Sequence, residues 1–173
     1  MKTYPLVSVG MPAYNRTETL VVAIECIINQ TYKNLEIIIS DNASASNEIE
    51  DIVKGYMKND KRILYTKQKR NLGAERNFQY IINKASGKYF LMAADDDIRS
   101  LDFIEKNIVF LENNADYVAS TSPSRFEHRN FDEHAMGDGS IECFDKYDRV
   151  NAFLNRWHAN ARFYSLVRRE EMQ

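Results

Sequence analysis

Cysteine is close to absent from this chain of 173 residues: Cys26 and Cys143 are the only two, and they stand far apart. A disulfide framework or a thiolate zinc site needs more ligands at shorter spacing, so neither organises the fold. Cys26 falls within an amphipathic helical pattern, where a free thiol behaves as a small apolar residue, and a reducing cytosol suits both. Long hydrophobic runs are missing as well. No segment approaches the roughly 20 apolar residues that span a bilayer, so membrane contact is at most peripheral. Residues 1–5 lead directly into a strand pattern without the apolar stretch of a signal peptide. The expected location is therefore cytoplasmic, at most against the inner face of the membrane. Charge of one sign is lacking too: the formal net charge is −2, and no basic field advertises nucleic-acid binding. The clearest basic cluster, Lys67, Lys69 and Arg70, reads as a solvated loop or as an attractor of phosphate or anionic lipid. Internal repeats and low-complexity tracts are absent, and a chain of this length can bury one core.

What is present is alternation. Short apolar runs at 7–11, 35–40, 62–66, 89–94 and 117–120 are separated by helix-period segments, the signature of βαβ units around a parallel sheet. Three of the runs are almost continuously apolar, as expected of strands covered on both faces. The first helix is expected to start with Asn15 as N-cap and Glu18 completing a capping box, with Leu20, Ala23, Ile24, Ile27 and Ile28 on one face. The second carries Ile49, Ile52, Val53 and Tyr56, and the third Phe78, Ile81, Ile82 and Ala85. The fourth starts near Ser100 and uses Ile104, Ile108 and Leu111. Residues 122–140 read as a long loop. A short strand at 141–144, a helix at 145–157 and a last strand at 162–167 follow.

In open α/β sheets, ligands bind beyond the carboxyl ends of the strands. The first strand runs into Met11-Pro12-Ala13-Tyr14-Asn15, where Pro12 fixes φ and Tyr14 offers a flat face; a structural turn accounts for these residues equally well. The second delivers Asp41, able to accept hydrogen bonds from an imide or a ribose, or to cap the next helix through an Asx-turn. Arg76 lies opposite the apolar stripe of the third helix and in its first turn, a poor place for a cation beside the positive end of the dipole. An anionic ligand or a carboxylate partner would explain it, as would simple exposure. Neither Asp41 nor Arg76 is expected in the core. The fourth strand ends abruptly in Asp95-Asp96-Asp97. Adjacent carboxylates repel one another, more so at the edge of an apolar core, and a hard divalent cation with oxygen ligands would compensate while binding substrate phosphates. No G-x-G-x-x-G follows either of the first two strands, against a dinucleotide-binding domain.

These blocks resemble, in order, the family-two glycosyltransferases, which have the GT-A fold. Residues 7–15 resemble the opening strand, and 37–44 the second strand with its uridine-binding aspartate. Asn71-Leu72-Gly73 with Arg76-Asn77 resembles the asparagine–glycine–arginine helix start, and 87–97 the strand that ends in the DXD metal motif. The resemblance implies a Rossmann-like, mainly parallel α/β sheet with helices on both faces. It places Pro12, Ala13, Tyr14, Asp41, Arg76 and Asp95 against the nucleotide, and Asp96 and Asp97 on Mg²⁺ or Mn²⁺. Asp95 and Asp97 satisfy D-x-D literally, and Ala94 stands where the family often has aspartate.

The implied reaction moves a sugar from a nucleoside-diphosphate sugar, a UDP-sugar in the first instance, to a hydroxyl of a glycan or lipid-linked acceptor, as in bacterial polysaccharide synthesis. Residues 1–120 would form the nucleotide-sugar part and 121–173 the start of the acceptor part of a single domain truncated at its C-terminus. The family's base would then lie beyond Gln173; within the chain the candidates are Glu127, Asp132, Asp138, Glu170 and Glu171. His128, His134 and His158 read as loop or surface residues. Two rivals follow: a sugar-phosphate nucleotidyltransferase, disfavoured because residues 11–18 carry no Gly-rich basic loop, and a module that binds nucleotide sugar without transferring it.

Overall fold

The structure, a computed structural model, describes residues 5–123, 141, 143, 145–155 and 161–172. It divides into two compact units, one of Met1–Ser120 with Leu166–Gln173 and one of Thr121–Ser165. The first unit is a six-stranded sheet: β1 (Val7–Ala13), β2 (Leu35–Asp41), β3 (Ile63–Lys67), β4 (Tyr89–Met92), β5 (Ala119–Ser120) and β6 (Leu166–Arg168), in the order β3-β2-β1-β4-β6-β5. The first four strands are parallel, and β6 runs antiparallel to both β4 and β5. The sheet is thus the mainly parallel α/β architecture expected, closed at one edge by an antiparallel pair.

Period-two alternation divides the strands between two covered faces. Val7, Val9, Met11, Ile37, Ile39, Tyr89 and Leu91 share one cluster with Leu20, Ala23, Ile24 and Ile27 of α1 (Leu20–Ile28), Ile49 and Val53 of α2 (Glu48–Met57), and Ile104, Ile108 and Leu111 of α4 (Phe103–Asn113). The other face meets α3 (Ala74–Lys84). A Cβ on Gly10 would fall 2.3 Å from Ile81 Cγ2 and 2.9 Å from the Phe90 ring. Glycine at position 10 is what lets α3 lie close to β1.

Several boundaries differ from the sequence reading. Helix α1 starts at Leu20 behind Thr19, which makes no side-chain cap, so the Asn15–Glu18 capping box does not form. Asn15 has φ 51°, and its carboxamide oxygen accepts from Ala45 N–H instead. Strand β1 continues through Pro12 and Ala13, which sit opposite Ser40 and Asp41. The N–H that Pro12 lacks would face β4 beyond its last pairing with β1 at Gly10–Met92, so no ladder bond is lost. The strand expected at 162–167 is a 3₁₀ turn at Ala161–Tyr164 followed by β6, and neither Ile141 nor Cys143 lies in a strand.

In the second unit, α5 (Lys146–Leu154) is capped by Asp145, whose carboxylate accepts from Tyr147 N–H at 2.7 Å and Asp148 N–H at 3.3 Å. Most of the expected 122–140 loop, the three histidines, Trp157, and Glu127, Asp132 and Asp138 lie outside the described residues. Among the described residues, no helix is long and apolar enough to cross a membrane.

Candidate functional site

Strands β1 to β4 are parallel, so the segments after Ala13, Asp41, Lys67 and Met92 all emerge at one rim. The sequence candidates are gathered there. Tyr14 is exposed, while Pro12 and Ala13 are part of the sheet. Arg76 is exposed in the first turn of α3 and makes no hydrogen bond or ion pair with any described residue. A cation left bare at the positive end of a helix is available to an anion.

Asp41 departs from expectation: it is fully buried. Its Oδ1 accepts from Ser44 N–H at 2.8 Å and its Oδ2 from the Tyr65 hydroxyl at 3.1 Å. The segment after β2 folds back over the strand end, with Asn15 N–H donating to Ser44 Oγ at 2.9 Å, and that closure buries the carboxylate. Alongside, Asn42 links two elements, donating to Asn71 Oδ1 at 3.0 Å and accepting from Leu72 N–H at 2.8 Å. These bonds set the approach to α3, where Gly73 takes φ 80°, a conformation natural to glycine. Thr66, Lys67, Gln68, Lys69, Arg70 and Leu72 line a groove of about 480 Å³ beside this point. The Gln68 N–H donates to the Asp41 carbonyl.

After β4 the chain turns at Asp95 and Asp96. Asp95 is mostly buried, with 13% of its side chain exposed; Asp96 and Asp97 are near half-exposed. Burial pushes the Asp95 carboxyl above its ordinary value; the neighbouring Arg16 opposes this and the charge of Asp96 adds to it. Arg16 Nη1 lies 3.1 Å from Asp95 Oδ1 and 2.5 Å from Asp96 Oδ2. Asp97 faces the buried guanidinium of Arg99 at 3.9 Å.

The three carboxylates therefore do not converge, and among the described residues no group of three acidic, histidine or cysteine side chains is placed to hold a metal. The donor set nevertheless suits a hard cation. It is all carboxylate oxygen, two members are accessible, and one cationic nitrogen already bridges two of them. A divalent ion with few protein ligands completes its shell from water and substrate phosphate.

Sequence reasoning missed Arg16, Tyr65 and Arg99. Arg16 stands just past the first strand end, where the ligand rule for open sheets directs attention, but it lies outside any helix and so lacked the dipole argument that singled out Arg76. Tyr65 and Arg99 carried no signal, since their partners are defined only by the folded rim.

The chain and its fold are similar to known proteins. The model of glycosyl transferase family 2 covers residues 8–171, and the chain belongs to that family. It is 41% identical over 113 residues to an uncharacterized glycosyltransferase of Methanocaldococcus jannaschii, covering 65% of this chain and 39% of that protein. To the glycosyltransferase GlyA of Streptococcus pneumoniae it is 35% identical over 154 residues, covering 86% of this chain and 21% of the relative. The chain thus spans about a fifth to two-fifths of the length of these curated relatives.

Among solved structures, residues 1–349 of TarS from S. aureus in complex with UDP-GlcNAc align with a TM-score of 0.56 at 17% identity, over 63% of this chain and 32% of that one. The mannosyltransferase PcManGT from Pyrobaculum calidifontis, in complex with GDP-Man and Mn²⁺, aligns with a TM-score of 0.51 at 19% identity, over 56% and 29%. At such identity the likeness bears on the fold, which is of the GT-A type.

Proposed function

We propose that the chain binds a nucleoside-diphosphate sugar at the carboxyl rim of its sheet, and that the protein transfers the sugar to an acceptor hydroxyl with Mg²⁺ or Mn²⁺. The observation that carries this reading is the acidic turn after β4, where Arg16 and Arg99 face three adjacent carboxylates across a rim that also presents Arg76. Family membership and two fold neighbours whose complexes hold a nucleotide sugar support it. Asp96 and Asp97, the more accessible pair, would hold the ion, which supplies positive charge against the diphosphate leaving group. Asp95 and Arg76 would meet the nucleotide, Tyr14 and the Pro12–Ala13 strand end would border it, and the groove beside Gln68 would receive the nucleoside near Asp41. A UDP-sugar is the favoured donor and a glycan or lipid-linked hydroxyl the acceptor, as in polysaccharide synthesis. We place the protein in the cytoplasm, with membrane contact at most peripheral.

Calorimetric titration of UDP, GDP and CDP with and without Mn²⁺ tests this, with UDP expected to bind best and to need the metal. No binding of any of the three, or binding indifferent to Mn²⁺, overturns it. Binding without turnover would mark a donor-binding module that draws its base from elsewhere.

A further inference from the structure

The two arginines facing the acidic turn are held very differently. Arg99 is fixed: its side chain is 8% exposed, it donates to the Met92 carbonyl and it lies over the Phe103 ring. Arg16 is half-exposed, although the backbone that carries it is anchored. Asn15, the residue before it, is latched to Ser44 by its N–H and to Ala45 by its side chain, both at 2.9 Å. A pinned base under a half-exposed guanidinium lets the head group change partners without any movement of the strand. Its present partners, one oxygen each from Asp95 and Asp96, are anions that a divalent cation would also seek.

We propose that Arg16 is an exchangeable counter-ion. It occupies Asp95 and Asp96 until a divalent cation arrives with a diphosphate, then leaves the carboxylates and pairs with phosphate oxygens. A guanidinium and a divalent ion on the same carboxylates repel each other strongly, so metal alone binds poorly while Arg16 is in place. The diphosphate reverses the balance: its oxygens complete the shell of the ion, and they offer the guanidinium fork a matching acceptor. Metal and nucleoside diphosphate thereby bind cooperatively, each favouring the arrangement the other needs. This rests on the reading of the rim as a nucleoside-diphosphate site.

The test compares the full chain with Arg16→Gln and Arg16→Lys. Mn²⁺ binding is followed by electron paramagnetic resonance, and UDP binding by calorimetry at saturating Mn²⁺. Arg16→Gln is expected to bind Mn²⁺ alone about tenfold tighter and UDP with Mn²⁺ about tenfold weaker, within the usual range of coupling between two sites. Arg16→Lys, which keeps the charge, should leave Mn²⁺ binding close to that of the wild type. Unchanged or weaker Mn²⁺ binding by Arg16→Gln, with metal-dependent UDP binding intact in the wild type, overturns the counter-ion role alone. Loss of metal-dependent UDP binding in the wild type itself overturns the functional reading, and the exchange with it.

Discussion

Tyr65 donates its hydroxyl to Oδ2 of Asp41 at 3.1 Å, on a carboxylate that is fully buried and whose other oxygen already holds Ser44 N–H. Burial, followed by the charge of Asp41 and this bond, pushes the phenol well above its ordinary range, so Tyr65 stays a donor at any physiological pH. Asp41 is therefore an organiser of the rim before it is anything else. Asp41→Ala would orphan two donors at about 1–3 kcal/mol each, so both the urea midpoint and UDP affinity should fall. Tyr65→Phe should cost about 1 kcal/mol. An unchanged midpoint for Asp41→Ala would show that the buried bonds do not hold the loop.

The acidic turn is fastened from behind by α1. Gln30, fully buried in the segment just past the end of α1, donates to the Ser100 carbonyl at 2.8 Å and accepts from Ile104 N–H at 3.1 Å, capping α4 from outside the helix. The Cys26 thiol accepts from Arg99 N–H at 3.1 Å. Gln30→Leu keeps the volume but strands both backbone groups, and about 2–4 kcal/mol of stability should be lost. Weaker Mn²⁺ binding should accompany it, as the turn loosens. A destabilised variant with undiminished metal binding would separate the fastening from the site.

The parts of this arrangement that follow from local pattern were legible in the sequence. Continuous apolar runs at β1, β2 and β4 predict strands covered on both faces, and abrupt polar ends such as Asp95 predict the rim. Depth was not legible. Asp41 ends a strand, and nothing nearby in sequence says that residues 42–47 fold back over it. Asn15 looked like a cap because its composition suits one, but tertiary bonds to Ser44 and Ala45 hold it at positive φ. The last strand was placed too early because the 3₁₀ turn at Ala161–Tyr164 carries the same aromatic-rich pattern as a strand; the strand itself is Leu166–Arg168 and ends on Arg168. The Arg168 guanidinium donates to the Leu111 carbonyl at 2.6 Å and the Asn114 carbonyl at 3.3 Å at the end of α4.

At the opposite end of the sheet, Glu36 accepts from the Ser8 hydroxyl, from Ser86 N–H at 2.6 Å and from Gly87 N–H at 3.1 Å. Burial alone would raise its pKa, but these donors outweigh it and hold the carboxyl below its ordinary value of 4.5. A depressed acid stabilises the fold above its unfolded pKa, and that contribution fades as pH falls through the folded one. Wild-type stability should thus drop as the pH is taken below 4.5, and Glu36→Gln should be less stable at pH 7 with a flatter acid limb. Urea midpoints across pH 3–7 decide it; the same slope in both proteins would remove Glu36 from the account.

Asp95 shows the opposite sign. Burial raises its carboxyl above the ordinary 3.8, Asp96 adds to this, and Arg16 only partly offsets it. The unfolded chain then gives up the proton more readily than the folded one. The ionised group costs stability at all pH above the folded pKa, and the cost disappears below the unfolded value. Asp95→Asn removes the charge, so the melting temperature at pH 7 should rise by about 2–4 °C for each kcal/mol relieved. That gain should vanish as pH falls below 3.8. UDP binding in the presence of Mn²⁺ should weaken in the same variant, because the divalent ion that meets the diphosphate loses one of three neighbouring carboxylates. A residue kept for the fold would lose stability when neutralised and leave binding alone. Calorimetric melting at pH 7 and pH 3.5, paired with UDP titration, separates the two, and a lower melting temperature with unchanged affinity would make Asp95 a structural residue.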